Sequence, residues 1–454
     1  MQRKLLQDLL AWKSQPTRKP LLIDGARQTG KTYLLTELFS ASFERTLHID
    51  FLKHPRFIEA FAQDLSPGVV LSNLELLTGR EFRMDRDLLI LDEIGECPRA
   101  VTALKYFAED APHAYVAATG SNIGLLNSFP VGKVLEHHLR PLSFHEFLMA
   151  CANPALTRAF EQRIDSSVVH GELMDALTDY YFVGGMPEAV AKWIDTSQEG
   201  ILTRVQAVSQ VHADLLAGYQ RDFGKYAGKV NAQLIEAVFT QIPLQLSSVL
   251  DDSVKRFRFK DVFERKSRFS DFENAIMWLH RSRLALLNYP IEGTPRIPLV
   301  AYQKSNRLKL FLFDTGLLNH MLGSSYQQIK SQAYEYKGFI AENFVQQELA
   351  VLGIEPTHAW FDARAEIEFL LTTPLGEIVP VEVKSGVRTR ARSLASYIQK
   401  YHPSQVVKLS ASRGMTTQGG ADQQVEERGS TRGMTRHLSL PLYDVQYLPQ
   451  LLGH

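Results

Sequence analysis

The stretch PLLIDGARQTGKT, residues 20–32, decides the fold, because an apolar segment runs through two glycines into Lys31 and Thr32. Its second part, residues 25–32, fits the pattern G-x-x-x-x-G-K-[ST] at every fixed position. The glycines let backbone N–H groups curl around phosphate oxygens, the lysine reaches the β- and γ-phosphates, and the hydroxyl binds Mg²⁺. A helix that begins here adds its positive end to the anion site. The predicted phosphate-binding residues are Gly25, Ala26, Arg27, Gln28, Thr29, Gly30, Lys31 and Thr32.

A second motif, LLILDE at residues 88–93, supplies the acidic partner of this loop. An apolar strand that ends in Asp92 places a carboxylate beside the Mg²⁺ of a bound nucleotide. Glu93 could orient and polarise the attacking water, and the alternative is that it is only a carboxylate at the start of a helix. The two motifs in this order predict ATP and Mg²⁺ as cofactors, with Lys31 and Glu93 taking part in hydrolysis.

Short apolar segments alternate with helical segments over residues 19–150. Segment 87–92 is too continuously apolar for a half-exposed strand and suits a buried parallel sheet. Strands separated by helices imply βαβ units with right-handed crossovers. Residues 1–150 are therefore predicted to form an α/β P-loop domain with a parallel sheet. The predicted strands are residues 20–25, 46–51, 87–92 and 115–120.

Further candidates for the nucleotide site follow the last of these strands. Ser121 or Asn122 could contact the γ-phosphate or its water, and helix capping is an equally good interpretation. Arg140 is a candidate arginine finger that would stabilise charge in the transition state, with Lys133 as a second candidate. Because such a finger normally comes from a neighbouring subunit, we expect a homo-oligomer.

Residues 151–325 differ in character, since periodic helices dominate them. A helix is predicted over 271–287, followed by apolar strand segments at 289–291 and 308–313. A helix followed by two strands suits a winged-helix-like module. Farther along, residues 412–436 are polar and glycine-rich, which predicts a surface loop.

Carboxylates and a lysine recur in the last segment, residues 326–454. Glu382 and Lys384 share one face of a predicted strand, because strand side chains repeat every two residues. Glu368 lies on an earlier predicted strand, and Glu342 lies on the helix before it. Metal-dependent phosphodiester hydrolysis needs clustered carboxylates for Mg²⁺ and a lysine that positions water or stabilises charge. The pattern therefore predicts a second metal site at these three glutamates, assisted by the lysine.

The whole set of motifs resembles a large group of bacterial and archaeal AAA-type ATPases. In that group, a C-terminal domain of unknown function resembles PD-(D/E)XK nucleases. The resemblance implies an AAA-type P-loop ATPase domain, a helical and winged-helix-like middle, and a restriction-endonuclease-like α/β domain at the C-terminal end. The motifs that carry it are GARQTGKT, LLILDEIGECP, ATGSN, PLSFHEFL, YYFVGGMPEAV, YQRDFGKY, FLFDTGLL, AEIEFL and VEVKSG.

One position departs from the nuclease pattern, because Glu368 stands where that superfamily usually has Asp. The longer side chain shifts the ligand by about one C–C bond, and Mg²⁺ is strict about geometry. Two interpretations are therefore open. The site is an active nuclease site, or the fold is retained for binding or scaffolding and Glu382 forms an ion pair with Lys384.

A basic segment, residues 255–268, has seven basic and two acidic side chains interleaved with phenylalanines. The basic residues could neutralise DNA or RNA phosphates while a phenylalanine stacks on an exposed base. The alternative is that the phenylalanines are core residues and the charges form a solvated face. Arg388, Arg390 and Arg392 could add a second basic patch, or they could be the solvated start of a helix.

Composition narrows the class of protein. The chain has 454 residues with 50 basic and 50 acidic side chains, and this balance excludes a uniformly basic surface. Two cysteines exclude a disulfide framework, and no apolar run is long enough for a membrane span, so a cytoplasmic protein is expected. The favoured hypothesis is an ATPase coupled to a nucleic-acid-directed, nuclease-like module. The alternative is a nucleotide-dependent switch or scaffold with slow hydrolysis and an inactive nuclease-like domain.

Overall fold

The computed structural model divides the chain into two compact units. The first unit consists of residues 1–142, 186–188 and 277–284, and the second of residues 143–185, 189–276 and 285–454. The residues that the structure describes are 1–121, 123, 130–151, 153–227, 229–248, 256–331, 337–362, 365–386, 392–414 and 435–453. Most of the predicted surface loop at 412–436 lies outside these ranges. The predicted division at residues 150 and 325 stays a prediction.

A five-stranded sheet forms the centre of the first unit. Its strands are β1 (Leu21–Asp24), β2 (Thr46–Asp50), β3 (Leu88–Asp92), β4 (Tyr115–Gly120) and β5 (Leu135–His138). Their order is β2-β3-β4-β1-β5, and every neighbouring pair is parallel. The loops after β1, β3 and β4 therefore meet at one edge of the sheet. The predicted α/β class with a parallel sheet is confirmed, whereas β5 escapes sequence analysis because its residues, LEHH, are polar and largely exposed.

Helices cover both faces of this sheet, as the apolar strands require. They are α1 (Leu5–Lys13), α2 (Lys31–Tyr33, continued by a π-helical segment Leu34–Phe39), α3 (Pro67–Thr78) and α4 (Pro98–Asp110). Along β3, Leu89 and Leu91 face the hydrophobic core that includes α3 and α4. Leu88 and Ile90 face a second core, which includes α1 and the π-helical segment.

The second unit contains most of the helices. Those lying wholly or mainly in it are α5 (Phe144–Ala150), α6 (Pro154–Glu161), α7 (Ser167–Val183), α8 (Pro187–Asp195), α9 (Ile201–Ala227), α10 (Lys229–Ser247), α11 (Phe269–Arg281), α12 (Thr315–Met321), α13 (Tyr326–Lys330), α14 (Lys337–Val351), α15 (Arg392–Tyr401) and α16 (Leu448–Leu451). Within the described ranges, no helix of the protein has both the length and the apolar character needed to cross a membrane.

A seven-stranded mixed sheet completes the second unit. Its strands are β6 (Ala285–Glu292), β7 (Lys309–Leu312), β8 (Thr357–Asp362), β9 (Ala365–Thr372), β10 (Ile378–Val383), β11 (Gln405–Ser410) and β12 (Arg436–Pro441). Their order is β12-β11-β10-β9-β8-β6-β7. The strand that carries Glu382 and the strand that carries Glu368 are antiparallel neighbours. These two carboxylates therefore lie on neighbouring strands.

The predicted winged-helix-like module is wrong. Helix α11 ends at Arg281, short of the predicted residue 287, and Arg283 follows with a positive φ of 64°. The next two strands, β6 and β7, pair with each other, and β6 also pairs in parallel with β8. They are the edge of the large sheet and not a separate wing. An antiparallel strand pair has the same local pattern in either setting, and only the long-range pairing with β8 distinguishes them.

Two of the quoted motifs meet inside the second unit. Asp314, in FLFDTGLL, caps α12 by accepting a hydrogen bond from the Leu317 N–H (2.9 Å), and it also accepts one from the Gly185 N–H (2.7 Å), in YYFVGGMPEAV. A Cβ at Gly184, whose φ is +72°, would collide with the Asp314 carboxylate, so the close approach requires glycine. Both motifs therefore have a structural role in joining α7 to α12.

Candidate nucleotide-binding site

The predicted phosphate loop lies directly after β1, at the carboxyl edge of the first sheet. Gln28 and Gly30 have positive φ values of 62° and 89°, which turn the loop sharply before α2 begins at Lys31. A Cβ at Gly25 would collide with the carbonyl oxygen of Leu139. Packing against the residue that follows β5 therefore requires glycine at the first position of the motif.

Lys31 is buried and points back into this loop. Its Nζ donates hydrogen bonds to the carbonyl oxygens of Gly25 (2.9 Å) and Ala26 (2.8 Å) and lies 3.3 Å from Ser121 Oγ. Burial lowers the pKa of Lys31 to about 8, and the nearby Glu93 carboxylate counteracts part of that effect. The Lys31 ammonium is thus held within the loop by two uncharged backbone carbonyls. Negatively charged phosphate oxygens could replace these carbonyls as its acceptors.

Thr32 and Asp92 converge, although 59 residues separate them in the sequence. Thr32 Oγ1 donates to Asp92 Oδ1 at 3.3 Å, and the other carboxylate oxygen lies 3.2 Å from His48 Nε2 on the neighbouring strand β2. A hydroxyl and a carboxylate side by side are oxygen ligands of the kind that Mg²⁺ prefers. The donor set therefore fits the Mg²⁺ of a bound nucleotide.

Glu93 follows β3 in an unusual backbone conformation. Its φ is +50°, in the left-handed region, which is uncommon for a residue with a side chain and occurs mostly at special sites. Burial raises the pKa of the Glu93 carboxyl, and Lys31 partly opposes this rise. A carboxylate with a raised pKa beside the phosphate loop suits a group that polarises water.

An ion-pair cluster stands immediately before the phosphate loop. Asp24, the last residue of β1, is buried and accepts a hydrogen bond from Arg283 Nε at 3.0 Å. His138, at the end of β5, lies 3.5 Å from the same carboxylate oxygen. Burial alone would raise the pKa of Asp24, but His138 and Arg283 outweigh it and lower that pKa. Sequence analysis misses this cluster because its three residues come from distant parts of the chain.

The structure places the other residues predicted for the nucleotide site in different surroundings. Ser121 approaches Lys31, whereas Asn122 lies outside the described residues. Arg140 is buried, with only 6% of its surface exposed, and Lys133 pairs with Glu109 at 2.8 Å. A finger that serves a neighbouring subunit must be exposed, so this burial argues against Arg140 in that role. Its backbone carbonyl, just after β5, accepts a hydrogen bond from the buried Arg3 side chain.

One protein-family model matches most of the first unit. Residues 17–148 match the family described as AAA domain. The chain has an N-terminal AAA domain. Residues 174–328 and 337–431 match two families described only as domains of unknown function, DUF8612 and DUF4143. The AAA domain supports a nucleotide-binding ATPase, and the other two matches name no activity.

Solved structures give weaker similarities. The chain is similar to PCH-2 of C. elegans at 12% identity and a TM-score of 0.30, over 46% of this chain and 67% of that one. It is also similar to AMPPCP-bound DnaA from Aquifex aeolicus at 13% identity and a TM-score of 0.27, over 62% of this chain and 87% of that one. Such TM-scores are too low to support an argument. No curated protein matches the chain.

Outside the AAA domain, the predicted second metal site has lysines where a cation would bind. Lys384 Nζ lies 3.2 Å from Glu368 and 3.3 Å from Glu382, and it also stays charged, because these carboxylates raise its pKa against the effect of burial. Buried Lys309 pairs with Glu342. Among the described residues, no group of three or more acidic, histidine or cysteine side chains could hold a metal ion. The predicted set of Glu342, Glu368 and Glu382 does not fit a metal in this arrangement.

The basic segment, residues 256–268 as described, separates its aromatic from its charged side chains. Phe259 contacts Phe257, Phe269 and Phe272, with ring centroids 5.4–5.8 Å apart. Phe257 and Phe259 therefore pack against each other, and Phe259 also packs against Phe269 and Phe272, which favours the core interpretation. Lys255, Arg388 and Arg390 lie outside the described residues, and Arg392 is exposed at the start of α15. The exposed basic side chains are Arg258, Lys260, Arg265 and Arg268.

Some of the residues that sequence analysis misses leave a signal in the sequence. Asp24 directly precedes the glycine of the loop motif, and His48 lies within the predicted strand 46–51. Strand alternation would place His48 on one face, but its approach to Asp92 depends on β2 lying next to β3. Arg283 and Lys309 have no local signal, because only tertiary packing brings them to their carboxylate partners.

Proposed function

We propose that this chain is an ATP-binding, Mg²⁺-dependent ATPase. The observation that carries the proposal is the convergence of Lys31, Thr32 and Asp92 at one edge of the sheet, with Glu93 beside them. The match of this unit to the AAA domain supports it independently. Parallel sheets bind ligands at this edge, where the strand carboxyl ends meet.

Each residue has a distinct role in the proposed reaction. Backbone N–H groups of residues 25–30 and the Lys31 ammonium would hold the phosphates. Thr32 and Asp92 would hold Mg²⁺, which supplies charge neutralisation on the phosphate oxygens. Glu93 would orient the attacking water and accept its proton, since its raised pKa strengthens it as a base.

The test is a substitution that keeps ATP binding and removes the base. Glu93→Gln should lower kcat by about 100-fold or more, because a positioned general base contributes that much. The affinity for ATP, measured by calorimetry, should stay close to that of the wild type. The matched control is Glu96→Gln, which changes an exposed glutamate in the same short turn. Unchanged turnover in Glu93→Gln would remove the assigned role.

The ion pairs in the second unit favour one form of this function, a nucleotide-dependent switch or scaffold whose nuclease-like domain does not cleave. Lys309 and Lys384 neutralise the carboxylates that a nuclease would need for Mg²⁺. A lysine kept charged by two carboxylates is also a poor base. Hydrolysis in the AAA domain would then serve to change partner binding.

Cleavage and metal binding can be measured together. With Mg²⁺ or Mn²⁺ present, we expect no hydrolysis of single-stranded or duplex DNA or RNA. Electron paramagnetic resonance without nucleotide should detect the same number of bound Mn²⁺ ions in the wild type and in Glu382→Gln. Cleavage that disappears in both Glu382→Gln and Lys384→Met would show instead that the site is an active nuclease.

Nucleic acid and a second copy of the chain are the proposed partners. Arg258, Lys260, Arg265 and Arg268 are exposed and form no ion pair with another residue of the described chain, so they are available to phosphates. Contact through these side chains would be electrostatic, because the neighbouring phenylalanines are packed against one another. A homo-oligomer that supplies an arginine finger is part of the proposal, and mass photometry with and without ATP would test it.

A further inference from the structure

Arg3 lies against the outer side of the phosphate loop. Its guanidinium is buried, with 7% of the residue exposed, and donates through Nη1 to the carbonyl oxygen of Thr29 at 2.7 Å. Through Nη2 it donates to the carbonyl oxygen of Arg140 at 2.6 Å. One planar side chain thus joins the end of the phosphate loop to the segment that follows β5.

Gly30 shows on which side of the loop Arg3 lies. A Cβ built on Gly30 would point towards Arg3, 3.8 Å from its Nη1. In a planar trans peptide, the carbonyl of one residue and the N–H of the next point in opposite directions. Because Arg3 holds the Thr29 carbonyl, the Gly30 N–H points away from Arg3. Backbone N–H groups of such a loop are the donors to phosphate.

We propose that Arg3 is a positioning residue for nucleotide binding. By fixing the Thr29 carbonyl, it sets the Thr29–Gly30 peptide in the orientation that presents the Gly30 N–H to a phosphate oxygen. A loop that is already set loses less conformational freedom when it binds its ligand. This inference rests on the proposed ATP binding and adds a residue outside the loop motif.

Arg18 provides a matched control in the same unit. It is also buried, with 8% exposed, and its guanidinium also donates to backbone carbonyls, those of Gln15 and His113. Neither carbonyl belongs to the phosphate loop. Loss of either arginine removes a buried guanidinium bound to two carbonyl-bearing segments, so general effects on stability should be similar. Only the loss of Arg3 should alter the loop.

The experiment measures the binding of inorganic tripolyphosphate and of ATP by calorimetry. Tripolyphosphate has no base or ribose, so it reports on the phosphate loop alone. Arg3→Ala should weaken the binding of both by roughly tenfold, as expected when one hydrogen bond to a charged ligand is lost. In turnover assays, KM should rise by a similar factor while kcat changes little, because the interaction is made equally in the ground and transition states. Arg18→Ala should leave both affinities unchanged.

Two further variants separate geometry from charge. Arg3→Lys keeps the charge but cannot bridge two carbonyls with a planar fork, so it should bind as weakly as Arg3→Ala. Arg3→Gln keeps an amide NH2 group without the charge and serves if the alanine variant does not fold. Wild-type affinity in Arg3→Lys, or equal losses in the Arg3 and Arg18 variants, would overturn the inference. A wild type that binds neither ligand would instead refute the proposed function.

Discussion

Lys31 carries its charge in a buried position, and burial lowers its pKa to about 8 although Glu93 counteracts the shift. Phosphate oxygens favour the charged form of the ammonium. Above pH 8, Lys31 is mostly neutral in the free protein, so the binding of ATP should take up a proton. We therefore expect the affinity for ATP to fall as the pH rises through 8.

Calorimetry in buffers of different ionisation enthalpy measures this proton uptake. At pH 9 the uptake should approach one proton per ATP, and at pH 7 it should be close to zero, because Lys31 is then already charged. With Mg²⁺ in excess the terminal phosphate of ATP is deprotonated at both pH values, so the difference in proton uptake reports on Lys31. Uptake that is the same at both pH values would contradict the lowered pKa.

The sequence indicates candidate site residues where they lie within a contiguous motif. Residues 25–32 and 88–93 could be predicted because a phosphate loop needs its glycines, lysine and hydroxyl at fixed spacing. Arg3, Asp24 and Arg283 could not, because they reach the loop through tertiary packing. Their spacing along the chain is free to vary, so it leaves no pattern.

At the scale of elements, the junction of α7 and α12 allows a test of how pH affects Asp314, the buried residue that caps α12. Burial raises the pKa of Asp314 to about 6, although hydrogen bonds from Leu317 and Gly185 oppose the rise. The folded chain therefore holds this proton more tightly than the unfolded chain, whose carboxyl has a pKa near 3.8. The stabilisation that depends on Asp314 should decrease as the pH rises from about 4 to about 6.

Hydrogen exchange of the backbone amides of α12, residues 315–321, measures this pH-dependent stabilisation locally. The excess protection of the wild type over Asp314→Asn should shrink as the pH rises through that range, after correction for intrinsic exchange. Asp271 is the matched control, because hydrogen bonds from the Arg268 and Ser267 N–H groups lower its pKa. Protection that depends on Asp271 should instead be lost as the pH falls. If the protection that depends on Asp314 and the protection that depends on Asp271 changed in the same direction with pH, the raised pKa assigned to Asp314 would be contradicted.

Elements with an unbroken apolar pattern could be predicted, and those defined by their partners could not. Strand β3 is recognised because its apolar residues 88–91 are consecutive, as suits a buried parallel sheet, and all five residues of the strand are buried. Among the described residues, strand β5 pairs with β1 alone and is largely exposed, so it has no apolar signal. Strands β6 and β7 have the right local pattern, but their membership of the large sheet depends on β8, about 70 residues away from β6 along the chain.

At the scale of the whole molecule, the zero net charge conceals an uneven distribution of charged residues. The exposed basic residues of 256–268 allow a test of whether a local basic patch binds DNA. Lys260→Ser, Arg265→Ser and Arg268→Ser combined should weaken DNA binding most at low salt. If each residue neutralises one phosphate, the slope of log K against log salt concentration should fall by about 2–3. Fluorescence anisotropy at several salt concentrations measures this slope.

Three arginines of the AAA domain give the matched control. Arg80, Arg83 and Arg86 are exposed in another short segment that also contains two acidic residues. Their combined change to serine removes the same charge from the chain and should leave the slope unchanged. An equal effect of both triple variants would indicate a response to net charge, which contradicts binding through the basic segment.

The first unit is assembled from three separate segments of chain, and the last of them, residues 277–284, brings Arg283 to Asp24. A polypeptide that ends at residue 150 would contain the whole phosphate-loop motif but not the guanidinium that pairs with the buried carboxylate in front of it. During synthesis, the same deficit lasts until residue 284 has left the ribosome. Until then, Asp24 lacks its guanidinium partner, which links the completion of the first unit to the translation of the segments that follow the AAA domain.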